Sequence, residues 1–287
     1  MDLAVALACI AGTGWALNIV VVRWALDRTG APSMAGAFVG IASSAAMVLA
    51  LAIVFGGAAP DLSDIWRFAI VGAVAPGSSQ GLFLASIRSI GPSRSSVLVG
   101  TAPMFGVLLA IVLLGENWEL AILLGTSLTV LGGAIVSWER GRGLLNAGVL
   151  FALATAMTFG MRDVIAREVT TGTNLSTLWS AAIVLGSASV VLWVMMSVVE
   201  RGGVARGLSA AFPEFLLSGL MIGLALPMLV AALSRGRVGI VTPLSNATQN
   251  TVVVVLSGIF FGARERSTKV VLALAMVVSG GVLISTR

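Results

Sequence analysis

Residues 68–88 read FAIVGAVAPGSSQGLFLASIR, and 147 positions further on residues 215–235 read FLLSGLMIGLALPMLVAALSR. The offset sets Phe68 on Phe215, Gly72 on Gly219 and Arg88 on Arg235, and it continues through Thr101 on Thr248, Gly115 on Gly262 and Gly133 on Gly280. An offset of 144 sets WALNIVVVRW (15–24) on FGMRDVIARE (159–168), with Arg23 on Arg167. The chain therefore reads as two copies of one unit, residues 1–142 and residues 143–287.

Each copy holds five apolar stretches long enough to cross roughly 30 Å of hydrocarbon as helices. They run over 3–24, 34–55, 65–87, 93–114, 119–138, 144–167, 175–199, 213–234, 238–261 and 268–286. Turn chemistry or charge separates them: TGAPS, GGAAPDLSD, RSIGPSR, GEN, ERGRG, TTGTN, ERGGVARG, SRGR and GARERSTK. Composition agrees, at 58% hydrophobic and 10% charged residues with a mean hydropathy of +1.06, where a soluble domain carries about a quarter charged residues. The expected fold is all-α and integral to the membrane, with ten transmembrane helices. Because five is odd, the second copy starts on the opposite side of the bilayer, and the two repeats are inverted. Inverted repeats point to transport, since a site between two pseudo-symmetric halves is exposed to either side when the halves exchange conformations.

The net charge of +5 and pI near 11.2 do not call for nucleic acid. No compact Lys/Arg cluster exists, and basic loops facing an anionic leaflet account for the sign. One side of the ten-segment topology carries Arg67, Arg167, Arg235, Arg237 and Arg287 with both termini; the other carries Arg23, Arg28, Arg88, Arg94, Arg140, Arg142, Arg201, Arg206, Arg264, Arg266 and Lys269. The positive-inside rule puts the richer side in the cytoplasm and the termini outside. Met1 and Asp2 offer no basic leader region, so the first stretch is expected to stay as a helix. With no histidine, Ser-His and Cys-His nucleophile pairs and HExxH zinc sites are excluded. Cys9 is the only cysteine, so no internal disulfide forms, and neither a metal nor a cofactor is implied.

Polar residues inside the spans mark the candidate site. In TFGMRDVIARE (158–168), Asp163 has Arg167 four residues on, while Arg162 has no acid at helical spacing. A central Arg costs roughly 2.5–3.5 kcal/mol on insertion scales, so Arg162 either faces a cavity or snorkels to the headgroups. At the 144 offset it falls on Asn18, and Phe159 falls on Trp15. Helix-internal prolines stand at Pro76, Pro103 and Pro227, with Pro243 near the start of its span. Each removes a backbone donor, which suits either a gate or a static kink. The ninth span is unusually polar in TPLSNATQNT (242–251), where Thr242, Ser245, Asn246, Gln249 and Asn250 share roughly one face. Interhelical hydrogen bonds average under roughly 1 kcal/mol, so cavity lining is preferred over helix glue. Thr101, Gln80, Ser78 and Ser79 are further lining candidates. Gly36 and Gly40, Gly132-Gly133 and Gly280-Gly281 permit close helix approach or dimer contacts. Trp24, Trp66, Trp118 and Trp138 sit near span ends as interfacial anchors do.

The five-plus-five plan, GTGWALN in the first span and APMFGVLLAIVLLGENW (102–118), with Pro103 and Gly115-Glu116, resemble the drug/metabolite transporter superfamily, EamA type. The resemblance covers essentially the whole chain. It implies a multi-pass permease of the bacterial inner (cytoplasmic) membrane, often exporting amino acids or related metabolites through a central cavity, with the termini in the cytoplasm. One departure is Ala263 where the first copy has Glu116. The expected function is thus transport of a small-molecule substrate by alternating access, with Trp15, Asn18, Gln80, Thr101, Phe159, Arg162, Ser245, Asn246, Gln249 and Asn250 at the site. Pro76, Pro103, Pro227 and Pro243 are the expected gates, and Asp163 the one embedded acid for proton coupling. The lipid bilayer is the other partner, and the state is a monomer or weak homodimer. A lipid translocator or a noncatalytic membrane subunit is the alternative.

Overall fold

The computed structural model describes residues 2–102, 104–106, 108–109, 120–137, 146–170, 173, 175–199, 203–233, 235, 238–262 and 267–285. Among these the chain is helical, with no strand. In order come α1 (Asp2–Thr29), α2 (Ser33–Phe55), α3 (Leu62–Gly72), α4 (Gln80–Ile90), α5 (Pro92–Val99) and α6 (Leu120–Ser137). They are followed by α7 (Ala147–Thr170), α8 (Thr177–Val199), α9 (Val204–Ala211), α10 (Glu214–Leu233), α11 (Val238–Phe260) and α12 (Thr268–Ser285). Six stretches among the described residues are long and apolar enough to cross a membrane: Leu3–Thr29, Ser33–Phe55, Leu62–Ile90, Ala147–Ala166, Thr177–Val199 and Glu214–Ala232. Ile53, Val54, Phe55, Val190 and Val194 expose large apolar side chains on their outer faces, as surfaces solvated by hydrocarbon do.

Two of the expected continuous spans are interrupted. The third is split at Ala73–Gly77, a π-type turn in which Ala75 is extended (φ −155°, ψ 131°) and Pro76 is buried. Ser78 N–H reaches back to Ala73 O at 3.1 Å, a five-residue step that repairs part of the ladder the proline opens. The fourth span begins with α5, eight residues long, and breaks at Gly100 and Thr101 before helix resumes at Ala102. Pro103, expected as the kink here, lies outside the described residues. Gly91, at φ 87°, is the single residue joining α4 to α5. Only glycine takes that left-handed conformation cheaply, and Pro92 then starts α5 with the fixed φ a first turn wants. Pro227 and the backbone of Pro243, by contrast, sit inside continuous helices. The separator ERGGVARG also carries structure, since α9 occupies its second half and packs on α2.

Packing is by close approach of small residues. A Cβ on Gly36 would strike the Phe215 ring and one on Gly40 would lie 3.0 Å from Ser218 Oγ, which seats α2 on α10. Gly72 of α3 abuts Val184 O and Ser187 Oγ of α8, while Gly219 of α10 abuts Gly40 O and Ser43 Oγ of α2. A Cβ on Gly132 would meet Ala273 O at 2.9 Å, and one on Gly280 would meet Gly125 O at 2.5 Å, so α6 and α12 are paired through glycines at both ends. Gly36, Gly40, Gly132 and Gly280 therefore serve close approaches within the chain, whereas a Cβ on Gly281 would meet nothing within 4 Å. One large core unites α1, α2, α4, α5, α7, α8, α10, α11 and α12, centred on Ile19, Leu84, Leu98, Leu185, Leu192 and Phe215. A smaller cluster of Ala4, Ala8, Ala232 and Val241 closes the start of α1 against α10 and α11.

Charge gathers at helix ends. Arg23 donates from Nη1 to Ile87 O at 3.1 Å and Arg88 O at 3.2 Å, capping the last turn of α4, where the helix dipole favours a cation. Its Nε lies 2.8 Å from Asp27 Oδ2 without the alignment of a hydrogen bond. Arg88 in turn donates to Ala31 O. Arg28 pairs with Glu214 at 3.3 Å and stands 5.5 Å from the Trp24 ring centroid. Trp24 and Trp66 are exposed at these ends, as anchors are; Trp118 and Trp138 lie outside the described residues.

Candidate functional site

The break at Ala73–Gly77 delivers a buried polar corner to the middle of the bundle. Gln80 opens α4 at 3% exposure. Neighbouring Ser79 is fully buried, and its Oγ lacks a partner among the described residues. Thr155 of α7 donates to Ser79 O at 3.5 Å and to Phe151 O at 2.9 Å, tying the corner to α7. Ser78 uses its hydroxyl on Val74 O and is not available to a ligand in this arrangement. Burying an unmet hydroxyl such as that of Ser79 costs roughly 1–3 kcal/mol.

One turn along α7, the Arg162 guanidinium stands 4.7 Å from the Phe159 ring centroid, a cation–π contact between two half-buried side chains. Gly160, between them, holds α7 against the segment after the fourth-span break: its Cβ would lie 2.6 Å from Gly106 N and 2.7 Å from Ala102 O. Thr101 is buried beside this contact but donates to Leu98 O at 2.7 Å. The side chains of Asp163 and Arg167 lie outside the described residues.

On α1, Trp15 is half-buried against the main core. Asn18, 1% exposed, accepts from Ser218 Oγ of α10 at 2.6 Å. That pairing commits its amide oxygen to holding two helices together. Gly12 abuts Ser245 O of α11 and lies beside Thr248 and Gln249, so α1 and α11 meet backbone to backbone.

The polar face of α11 is consequently divided. Ser245 is buried and Thr248, which donates to Leu244 O at 2.8 Å and points to Cys9 Sγ at 3.7 Å, turns toward α1. Asn246 and Asn250 turn the other way and line a crevice with Gly100, Ala247, Val277, Val278 and Gly281. Gln249 is half-buried between the two groups. Asn250 accepts from Ser96 Oγ of α5. The side chains of Thr242 and Pro243 lie outside the described residues. Trp15, Asn18, Phe159 and Arg162 do not line this crevice.

Sequence reasoning passed over the serines. RSIGPSR reads as a separator, yet its Ser93 is fully buried, as are Ser95 and Ser96 at the start of the fourth span, and Ser86 and Ser95 share a hydrogen bond of 2.7 Å. A serine-rich run directly abutting an apolar stretch was the available signal. Ser218, alone in an apolar span, gave none.

Residues 2–138 match the model of the EamA-like transporter family. A curated relative, the "Probable terminal-alkyne amino-acid exporter" of Streptantibioticus cattleyicolor, is 28% identical over 156 residues, or 51% of this chain and 52% of that protein. The chain thus spans about half the length of the curated relative it matches. A solved crystal structure shares the fold at 18% identity, with a TM-score of 0.61 over 96% of this chain and 95% of the other. The EamA-like match thus covers α1 through α6, including the broken third span with Gln80 and the break at Gly100.

Proposed function

We propose that the chain is an exporter of small amphipathic metabolites, amino acids among them, working by alternating access in a bacterial inner membrane. It is built from two inverted five-helix halves, residues 1–142 and 143–287. The observation that carries this reading is an exchange of contacts. The 147 offset that sets Gly72 on Gly219 combines with the 144 offset, which sets Gly40 on Val184 and Ser43 on Ser187. Gly72 abuts Val184 and Ser187, and Gly219 abuts Gly40 and Ser43, so each half offers the other the same surface. An offset of 148 likewise turns the Gly132 to Ala273 contact into the Gly280 to Gly125 contact. Such an arrangement supports a two-fold pseudo-symmetry, and exchange between two equivalent packings is the basis of alternating access. The family match and the relative's name support a membrane exporter.

Within it, Gln80, Arg162 and Gln249 form the polar contacts of the transport site, with Trp15 and Phe159 supplying aromatic surface. Arg162 takes the carboxylate of a substrate, and the breaks at Pro76 and Gly100 act as hinges. Reconstituted liposomes loaded with a panel of amino acids and their amides supply the test. Selective, saturable release of one class from protein-containing vesicles is the expected result, and lipid flipping without solute release would favour the translocator alternative. Cysteines placed at Arg28 and Thr173, in repeat-related segments, should label from opposite membrane faces; labelling from one face would defeat the inverted arrangement.

A further inference from the structure

The end of the bundle where α1 stops and α10 starts carries a surface outside the transport site. α1 and α10 belong to stretches long enough to cross a membrane, Leu3–Thr29 and Glu214–Ala232. Arg28 and Glu214, in the last and first turns of these, therefore stand at the depth of the lipid headgroups. Glu214 Oε1 lies 3.3 Å from Arg28 Nε, and the Trp24 ring centroid lies 5.5 Å from the guanidinium. These two contacts orient the fork while the ion pair uses one of its five donors, and the side chain stays 63% exposed. At the same end α9 lies against α2 and touches α1. It buries Gly207 and Ala211 and rests Val204, Leu208 and Ala210 on the core, which leaves Arg206 and Ser209 exposed. Exposed Phe212 follows, and beyond it Leu217, Leu220 and Leu224 form an exposed stripe at helical spacing, running from the headgroup end of α10 toward its middle.

We propose that this surface is a binding site for an anionic phospholipid. The Arg28 fork holds its phosphate, Arg206 is the second cation, and an acyl chain follows the stripe of Leu217, Leu220 and Leu224. An oriented guanidinium presents paired N–H donors to phosphate oxygens, a match that a point charge does not reproduce. Charge decides the class of lipid. Among the described residues, Arg23, Arg28 and Arg206 stand here against Asp27 and Glu214, three cations to two carboxylates. The start of α3, at the opposite end of the bundle, supplies the contrast. Arg67 also stands over a tryptophan, 5.7 Å from the Trp66 ring centroid, but Asp61 and Asp64 accompany it, one cation to two carboxylates. The same cation–aromatic pair is thus built at both ends, and the copy beside α9 sits in the field that favours an anion. An occupant touches α1, α9 and α10 together, so it favours arrangements that keep these ends in contact.

The test uses the full chain reconstituted in phosphatidylcholine vesicles that carry a minor fraction of dibrominated phosphatidylglycerol, whose bromines quench nearby tryptophans. Dibrominated phosphatidylcholine at the same fraction is the reference. Stronger quenching by the phosphatidylglycerol is expected, and the excess should vanish in Trp24→Phe, which keeps an aromatic ring and removes the reporter. Arg28→Gln and Arg206→Gln should each weaken the relative affinity about fivefold, the order expected for one basic residue at an anionic headgroup. Arg28→Lys, which keeps the charge without the fork, should fall between, and Arg67→Gln should leave the excess unchanged. Where Arg28→Gln fails to fold, Arg206→Gln decides. Equal quenching by the two lipids, an excess that survives Trp24→Phe or either glutamine variant, or an equal loss in Arg67→Gln would each overturn the proposal. Displacement by inorganic phosphate beyond that by chloride at matched ionic strength would overturn it by making the occupant a free anion.

Discussion

Gly160→Ala is the substitution whose consequence follows most directly from the geometry. The added methyl would lie 2.6 Å from Gly106 N, 2.7 Å from Ala102 O and 3.0 Å from Phe105 Cβ, and all three belong to one opposing segment. Ordinary van der Waals contact begins at 3.4 Å, so relief requires α7 and that segment to part by about 0.8 Å, the difference between 3.4 and 2.6. Two of the three atoms are backbone and cannot rotate away. Overpacking of this kind costs about 1–3 kcal/mol, against a gain of roughly 0.5–1 kcal/mol from replacing a mid-helix glycine. The net expectation is a loss of about 0–2.5 kcal/mol. Gly186→Ala is the matched control, since its methyl meets nothing within 4 Å, and it should show only the gain. Equilibrium unfolding in mixed micelles of rising SDS content reads both. If Gly160→Ala proves as stable as Gly186→Ala, the close approach of α7 to residues 102–106 is wrong, and so is the placement of Phe159 and Arg162 derived from it.

Three other outcomes are expected. A double-mutant cycle on Asn18→Ala and Ser218→Ala should give a coupling of about 0.6 kcal/mol and no more than about 1.7, and a coupling near zero would show that the 2.6 Å hydrogen bond contributes nothing measurable. Arg23→Ala removes two charge-assisted bonds to Ile87 O and Arg88 O and should lower stability by about 1–3 kcal/mol; equal loss in a Glu214→Ala variant, whose partner Arg28 is exposed and worth roughly 0–1 kcal/mol, would contradict that ranking. Arg162→Gln should depress release of carboxylate substrates much more than of their amides, measured in the same liposomes, and equal losses for both would reduce Arg162 to a packing role.

Hydropathy alone determined that this chain is a bundle of membrane helices, because a run of some twenty uncharged side chains is a local, additive property that neighbours do not reverse. Helix boundaries were legible for the same reason, within a few residues, at Gly30, Gly91 and Gly262, each at positive φ. The prolines were legible but not their effects. Pro76 splits a span while Pro227 rides inside one, and the difference rests on what surrounds each, which composition does not record. Asn18, Asn246 and Asn250 were legible as polar groups inside apolar spans, yet their roles separated only in three dimensions. A side chain's direction follows from helix phase, but its partner depends on which helix packs there. Ser218 took Asn18, Ser96 took Asn250, and the Gly12 approach turned one face of α11 toward α1 while leaving its amides to α12. Those pairings join residues 200 and 154 positions apart in the chain, at crossings where glycine permits contact and anything larger forbids it, and only the tertiary structure decides them.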